Sequence, residues 1–167
     1  MASARIGPIL KTVVFVILVP GTALLWAPDL MLKKSVPRPA NWFSWLALVP
    51  LVSGAAILLE CAWEFAVKGL GTPAPIDPPK TLVVSGLYRY VRNPMYAGVA
   101  LVLFSEAVLF SSLRLLEYAL IVWAAFFLFV VAYEEPALRK KFGASYRAYL
   151  KAVPRWLPRL TPWTPTK

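Results

Sequence analysis

Apolar residues fall along this chain in long blocks, not in the short alternations of a half-buried sheet. Runs at about 12–26, 42–67, 94–110 and 113–133 come close to or exceed the ~20 residues that a helix needs to cross a bilayer. Pro20-Gly21 should kink the first run, which lacks a clean small-x-small cleavage site and reads as a retained span. The second run, at the helical rise of about 1.5 Å per residue, outreaches the ~30 Å hydrocarbon core and must tilt, bend at Pro50 or project. Trp42, Trp45 and Trp63 lie near its ends, where interfacial aromatics anchor. Asn93-Pro94 suits the N-cap and first position of the third run, and Ser111-Ser112 turns it into the fourth as a helical hairpin.

Beyond Tyr133 the pattern changes. Leu138, Phe142, Tyr146, Tyr149 and Val153 recur at helical spacing among Arg139, Lys140, Lys141, Arg147 and Lys151, which predicts an amphipathic helix lying in the membrane interface. The fold class expected is an all-α membrane protein of about four transmembrane helices plus a C-terminal interfacial amphipathic helix, one membrane domain over 1–167. Two non-helical stretches interrupt it. Gly69 to Lys80 carries four prolines and should run extended, and Lys80 to Tyr96 is basic and rich in tyrosine.

Composition sharpens this picture. The chain is 59% hydrophobic with a net charge of +10, and because its basic residues flank apolar spans, membrane lipids rather than nucleic acid are the expected counter-charge. Four spans put both termini and the 68–92 loop on one side, which carries 14 of the 18 Lys and Arg residues. The positive-inside rule places that side in the cytoplasm, and hence in a bacterium the protein in the inner membrane. With no histidine and only Cys61 as a thiol, intramolecular disulfides, His-ligated metal sites and Ser-His or Cys-His nucleophiles are excluded, and no metal is expected.

Candidate chemistry gathers near the start of the third run. Tyr88, Arg89, Tyr90, Arg92, Asn93 and Tyr96 precede or open a helix whose unpaired N–H groups suit a carboxylate or phosphate. Two readings stand: a ligand site, or a plain helix start with Arg89 and Arg92 on lipid phosphate. Glu134-Glu135 return to the same face through the hairpin, either to balance a cationic ligand or arginine or to open the next helix. Glu60 and Glu64 lie one turn apart within the second run, and Glu60 is expected to face a pocket or pair with Arg89 or Arg92. Cys61 reads most simply as a small buried hydrophobe.

The order GLYRYVRNPMYAG, an apolar hairpin, then EEPALRKKFGASYRAYLKAVPRWLP resembles the isoprenylcysteine carboxyl methyltransferases and the related phospholipid methyltransferases. The resemblance covers about 71–158. It implies an integral-membrane enzyme that uses S-adenosylmethionine on a hydrophobic, lipid-like or prenylated acceptor. By position, Lys80, Thr81, Leu82, Val83, Tyr88, Asn93, Pro94, Met95, Tyr96 and Glu134 would hold the cofactor; Arg92, Glu134 and Glu135 are the candidate catalytic groups, and Glu60 and Glu64 the candidate acceptor-side groups. Asn93 stands where the family usually has His, and Val130 about where some eukaryotic relatives have a substrate-binding Arg. Phospholipid amine methylation is the nearest alternative, followed by an NADPH-dependent membrane reductase and a non-enzymatic scaffold.

Overall fold

The structure, a computed structural model, describes residues 14, 18–32, 42–65 and 82–164, and every regular element among them is helical. The Pro-rich loop at 69–80, Lys80, Thr81 and part of the first predicted span lie outside the described residues. The α-helices are α1 (Ala27–Met31), α2 (Leu48–Glu64), α3 (Pro94–Leu109), α4 (Leu113–Phe129) and α5 (Glu135–Ala152).

Prolines decide several local shapes. Pro50 sits in the first turn of α2, behind a 3₁₀ segment at Trp42–Ala47, so its missing N–H breaks no interior bond. Before Pro136 the chain widens into a π turn, Val130–Glu134, in which the Glu135 N–H reaches back to the Val130 carbonyl. The same device recurs at Thr22–Trp26, where the Ala27 N–H bonds the Thr22 carbonyl and Pro28 follows. Each π turn admits a proline without ending the helix.

The amphipathic helix expected after Tyr133 is present as α5, Glu135–Ala152, and it continues α4 through the π turn. The helix runs on from Leu113 to Ala152, interrupted only at Gly143, whose φ of 53° and ψ of −120° turn the last stretch. Its apolar stripe is not left outward. Tyr146, Tyr149 and Val153 are buried against Leu82, Val84, Leu138, Phe142 and Trp163, because two tyrosine hydroxyls need partners that a lipid tail cannot offer.

Among the described residues, two helices are long and apolar enough to cross a membrane, Ser44–Glu64 and Leu113–Ala152; Pro94–Leu109 is apolar but shorter. α2 packs chiefly on α3, and α3 on α4. The first pair meets at glycines: a Cβ on Gly54 would stand 2.8 Å from the Gly98 carbonyl oxygen, so the two backbones touch as they do between membrane helices. Leu24, Val99, Val102, Leu103 and Ala119 fill the core beside them. Between α3 and α4, Ser111 adopts φ 46° and the Ser112 hydroxyl caps the Leu115 N–H, which closes the hairpin the sequence predicts. Outward faces are bare and apolar, with Val49, Val52, Leu59 and Trp63 on α2 and Leu120, Ile121 and Leu128 on α4.

Candidate functional site

The loop ahead of α3 is fixed first by α2. Ser85 donates its hydroxyl to Glu64, and Gly86 lies at φ +52° with the Glu60 carboxylate so close that a Cβ there would be 2.9 Å from its oxygen. Only glycine fits this conformation and this gap without strain. The 3₁₀ turn Gly86–Arg89 then sets the Tyr88 ring edge-on to Phe65, with centroids 5.7 Å apart, while the Tyr149 hydroxyl donates to the Tyr88 carbonyl at 2.6 Å. Burial pushes the Tyr88 phenol well above its ordinary pKa, so it stays protonated.

α3 begins without a side-chain cap. Asn93 occupies the N-cap, but its amide turns away and donates to the Arg155 carbonyl at 3.2 Å. Pro94 has no N–H to satisfy, and the Asn93 side chain caps no N–H of the first turn. The Tyr96 hydroxyl donates to Glu134 Oε2 at 2.8 Å, and its ring packs on Phe126.

The two adjacent glutamates divide their roles. Glu134 faces a cavity, where burial raises its pKa against the lowering effect of the Tyr96 bond. Glu135 faces three guanidiniums. Arg155 grips it through both Nε and Nη2, at 2.7 and 3.0 Å, Arg92 Nη1 donates at 2.8 Å, and Arg139 stands 3.8 Å away. Burial opposes the Glu135 charge, but the Arg155 hydrogen bonds and the surrounding cations outweigh it and hold the carboxyl below its usual pKa. The Arg92 Nε is buried without a hydrogen-bond partner among the described residues, a deficit that ordinarily costs about 1–3 kcal/mol.

A strap from Val153 to Trp163 binds the loop from the other side. Arg92 N–H donates to the Pro154 carbonyl, Arg159 N–H to the Tyr90 carbonyl and Trp163 N–H to the Arg89 carbonyl, while Arg89 Nε donates to the Trp163 carbonyl. Trp156 seats the strap on α4, its ring 4.6 Å from that of Trp123.

These elements enclose an open cavity of about 180 Å³. Leu82, Val83, Tyr88, Arg92, Asn93, Tyr96 and Glu134 line it, and Met95 joins several of them around a smaller adjoining hollow. The structure thus brings together most of the described residues expected to hold a cofactor. Pro94 is buried at the helix start and not in the lining, and Glu135 sits behind the wall in its arginine cluster. Glu60 and Glu64 lie against Ser85 and Gly86, outside the cavity lining, and Arg89 and Arg92 bond Trp163 and Glu135 instead of Glu60.

Sequence reasoning missed one wall. Phe65, Phe129, Tyr133, Leu138, Lys141, Phe142, Tyr146 and Tyr149 also line the cavity. Most belong to α5 or the π turn before it, and the signal available was the pair of tyrosines on a stripe otherwise read as lipid-facing.

The family model for phospholipid methyltransferases matches residues 42–145. Among curated proteins, the chain is 37% identical over 78 residues to protein-S-isoprenylcysteine O-methyltransferase of Schizosaccharomyces pombe, covering 46% of this chain and 33% of that one. It is 32% identical over 124 residues to the Xenopus laevis protein of that name, covering 72% and 42%, and 32% identical over 78 residues to protein-S-isoprenylcysteine O-methyltransferase B of Arabidopsis thaliana, covering 46% and 39%. The chain therefore spans well under half the length of these relatives. No solved structure matches it. The match over 42–145 takes in the α2–α3 pair, the hairpin and the Glu134-Glu135 turn, and with it the chain belongs to the phospholipid methyltransferase family.

Proposed function

We propose that this protein is a multi-pass integral-membrane methyltransferase, a single domain over 1–167 that uses S-adenosylmethionine and acts on a hydrophobic acceptor of the isoprenylcysteine carboxyl type. The supporting observation is that one cavity carries two complementary features: a half-buried carboxylate beside aromatic rings, and a cationic wall beside a helix start that Asn93 does not cap. S-adenosylmethionine is an amino acid with a sulfonium, so it needs both. Glu134, with Tyr88, Tyr96 and Phe65 around it, suits the positive groups, and Arg92 with the Met95 and Tyr96 N–H groups suits the carboxylate. The buried, unpartnered Arg92 Nε fits a site built to receive an acceptor.

Bound there, S-adenosylmethionine supplies an electrophilic methyl group for in-line displacement. The chain's own tasks are then alignment and exclusion of water. Tyr96 holds Glu134 in place through its hydroxyl, and Phe129, Phe142 and the tyrosines of α5 keep the cavity walls apolar. No histidine is available to move a proton, and a carboxylate acceptor, already ionised, requires none. The O-methyltransferase names of the relatives favour the same acceptor.

Four spans, with both termini and the cavity in the cytoplasm, fit the bare apolar faces of α2 and α4 and the crowding of Lys and Arg around the site. A lipid-like acceptor would then come from the bilayer and the cofactor from water.

Calorimetric titration of the detergent-purified protein with S-adenosylhomocysteine, and in parallel with NADPH, tests the cofactor. Saturable binding of the first alone is expected; binding of NADPH alone would move the chain to the reductases, and silence from both on folded protein would leave a scaffold. Tritiated methyl transfer then tests the acceptor. Label released by base as methanol from a farnesylated cysteine marks the carboxyl ester, whereas base-stable label in lipid marks phospholipid N-methylation.

A further inference from the structure

Glu135 carries one negative charge and faces three arginines, yet its two oxygens are shared unequally. Arg155 takes the two-pronged grip that a carboxylate offers a guanidinium, with its Nε on one oxygen and its Nη2 on the other. Arg92 reaches Glu135 through Nη1 alone, its side chain also hydrogen-bonds Tyr146, and its Nε, the other edge on which a two-pronged grip is built, is buried with no partner among the described residues. Arg92 lines both hollows of the cavity, whereas Glu135 lines neither. The Arg155 carbonyl meanwhile holds the Asn93 amide, at the start of α3.

From this arrangement we infer that Arg155 is a positioning residue: by gripping both oxygens of Glu135 it limits Arg92 to one bond there and holds it as the cavity's receptor for a carboxylate. Without Arg155, Glu135 is free to take Arg92 in a two-pronged pair, which cancels the cationic wall and draws the guanidinium back from the cavity. The carboxylate has two possible sources, the cofactor's amino-acid end and the acceptor's ionised carboxyl. The inference rests on the methyltransferase reading above.

The test compares ligands with and without a carboxylate on the full-length protein in detergent. S-adenosylhomocysteine carries the group, and 5′-methylthioadenosine is the same nucleoside thioether without the amino-acid end. Arg155→Gln is expected to weaken S-adenosylhomocysteine about tenfold, the scale of one charged hydrogen bond, and to leave 5′-methylthioadenosine within about twofold. Arg155→Lys, which keeps the charge and one bond, should fall between and serves if the glutamine variant fails to fold. The pair Glu135→Gln with Arg155→Gln should recover much of the lost affinity, because the competitor for Arg92 is gone; a strap held merely by this ion pair would gain nothing. Should S-adenosylhomocysteine binding stay intact while the KM for a farnesylated cysteine rises and that for its amide does not, the inference holds with the acceptor as the source. Equal loss for ligands with and without a carboxylate, or no loss for any, overturns it. No binding of S-adenosylhomocysteine to the unaltered protein would instead sink the methyltransferase reading.

Discussion

The Tyr96 hydroxyl donates to Glu134 Oε2 across 2.8 Å, joining the first turn of α3 to the end of the π turn that follows α4. Thirty-eight residues apart in sequence, the two groups meet because the hairpin brings the far end of α4 back beside the start of α3. Glu134 is the carboxylate proposed to face the cofactor's positive end, and the Tyr96 hydroxyl donates to it. Tyr96→Phe and Glu134→Gln should each weaken S-adenosylhomocysteine about tenfold while the protein still folds in detergent. Calorimetry decides it, and unchanged affinity in both variants would remove this pair from the binding site.

Asn93 gives a second test. Its amide is buried and bonded to the Arg155 carbonyl, so Asn93→Ala should cost about 1 kcal/mol of stability in thermal unfolding. Asn93→His keeps an N–H donor and should preserve ligand affinity. Loss of binding in the histidine variant would show that this pocket no longer accommodates the residue usual in the family.

The contact between Gly54 and Gly98 predicts the behaviour of α2. A Cβ at Gly54 would press on the Gly98 backbone oxygen at 2.8 Å, and backbone cannot swing aside as a side chain can. Gly54→Leu should therefore destabilise the protein by about 1–3 kcal/mol, read as a lowered melting temperature in detergent. A variant as stable as the parent would mean that α2 and α3 do not cross at these glycines.

Acid sensitivity follows from Glu135. Its folded pKa lies below the ordinary carboxylate value, so the unfolded chain takes up the proton first as pH falls. The stabilisation is complete above about pH 4.3, the unperturbed glutamate value, and is lost as pH drops through the depressed folded value. Unfolding midpoints measured across that window should fall for the parent, and Glu135→Gln should flatten the slope. An identical slope in both would assign the acid sensitivity to other carboxyls.

What could be read from the sequence followed from residues whose local chemistry has few solutions. Asn93-Pro94 opens α3 and Ser111-Ser112 closes the hairpin as predicted, because proline at a first turn and serine at a cap act within a few residues. Tyr88, Tyr96, Met95 and Glu134 were legible as a group only through the family resemblance that two motifs on either side of that hairpin carry. The neighbour of Glu60 was not legible: a carboxylate in an apolar run suggests a pocket, whereas here it flanks a positive-φ glycine that cannot be recognised until the loop is folded over it. The packing of α5 was not legible for a related reason: amphipathic spacing gives the width of an apolar face but not what covers it, and Leu82 and Val84 on a distant loop cover part of this one. The roles of Arg155 and Trp163 depend on a strap with no regular period, and nothing local in the sequence announces it.

That strap also sets an order of assembly. Arg89 finds its carbonyl partner at Trp163, 74 positions further on, and Tyr90, Arg92 and Asn93 likewise bond to residues beyond position 153. As the chain is made, α3 and α4 can pair through their own hairpin well before these partners exist, leaving the loop ahead of α3 with its backbone groups in water. The cavity is thus a late product of synthesis, completed on a scaffold already in place, and a nascent chain stalled short of Trp163 holds a helix pair around an unfinished hollow.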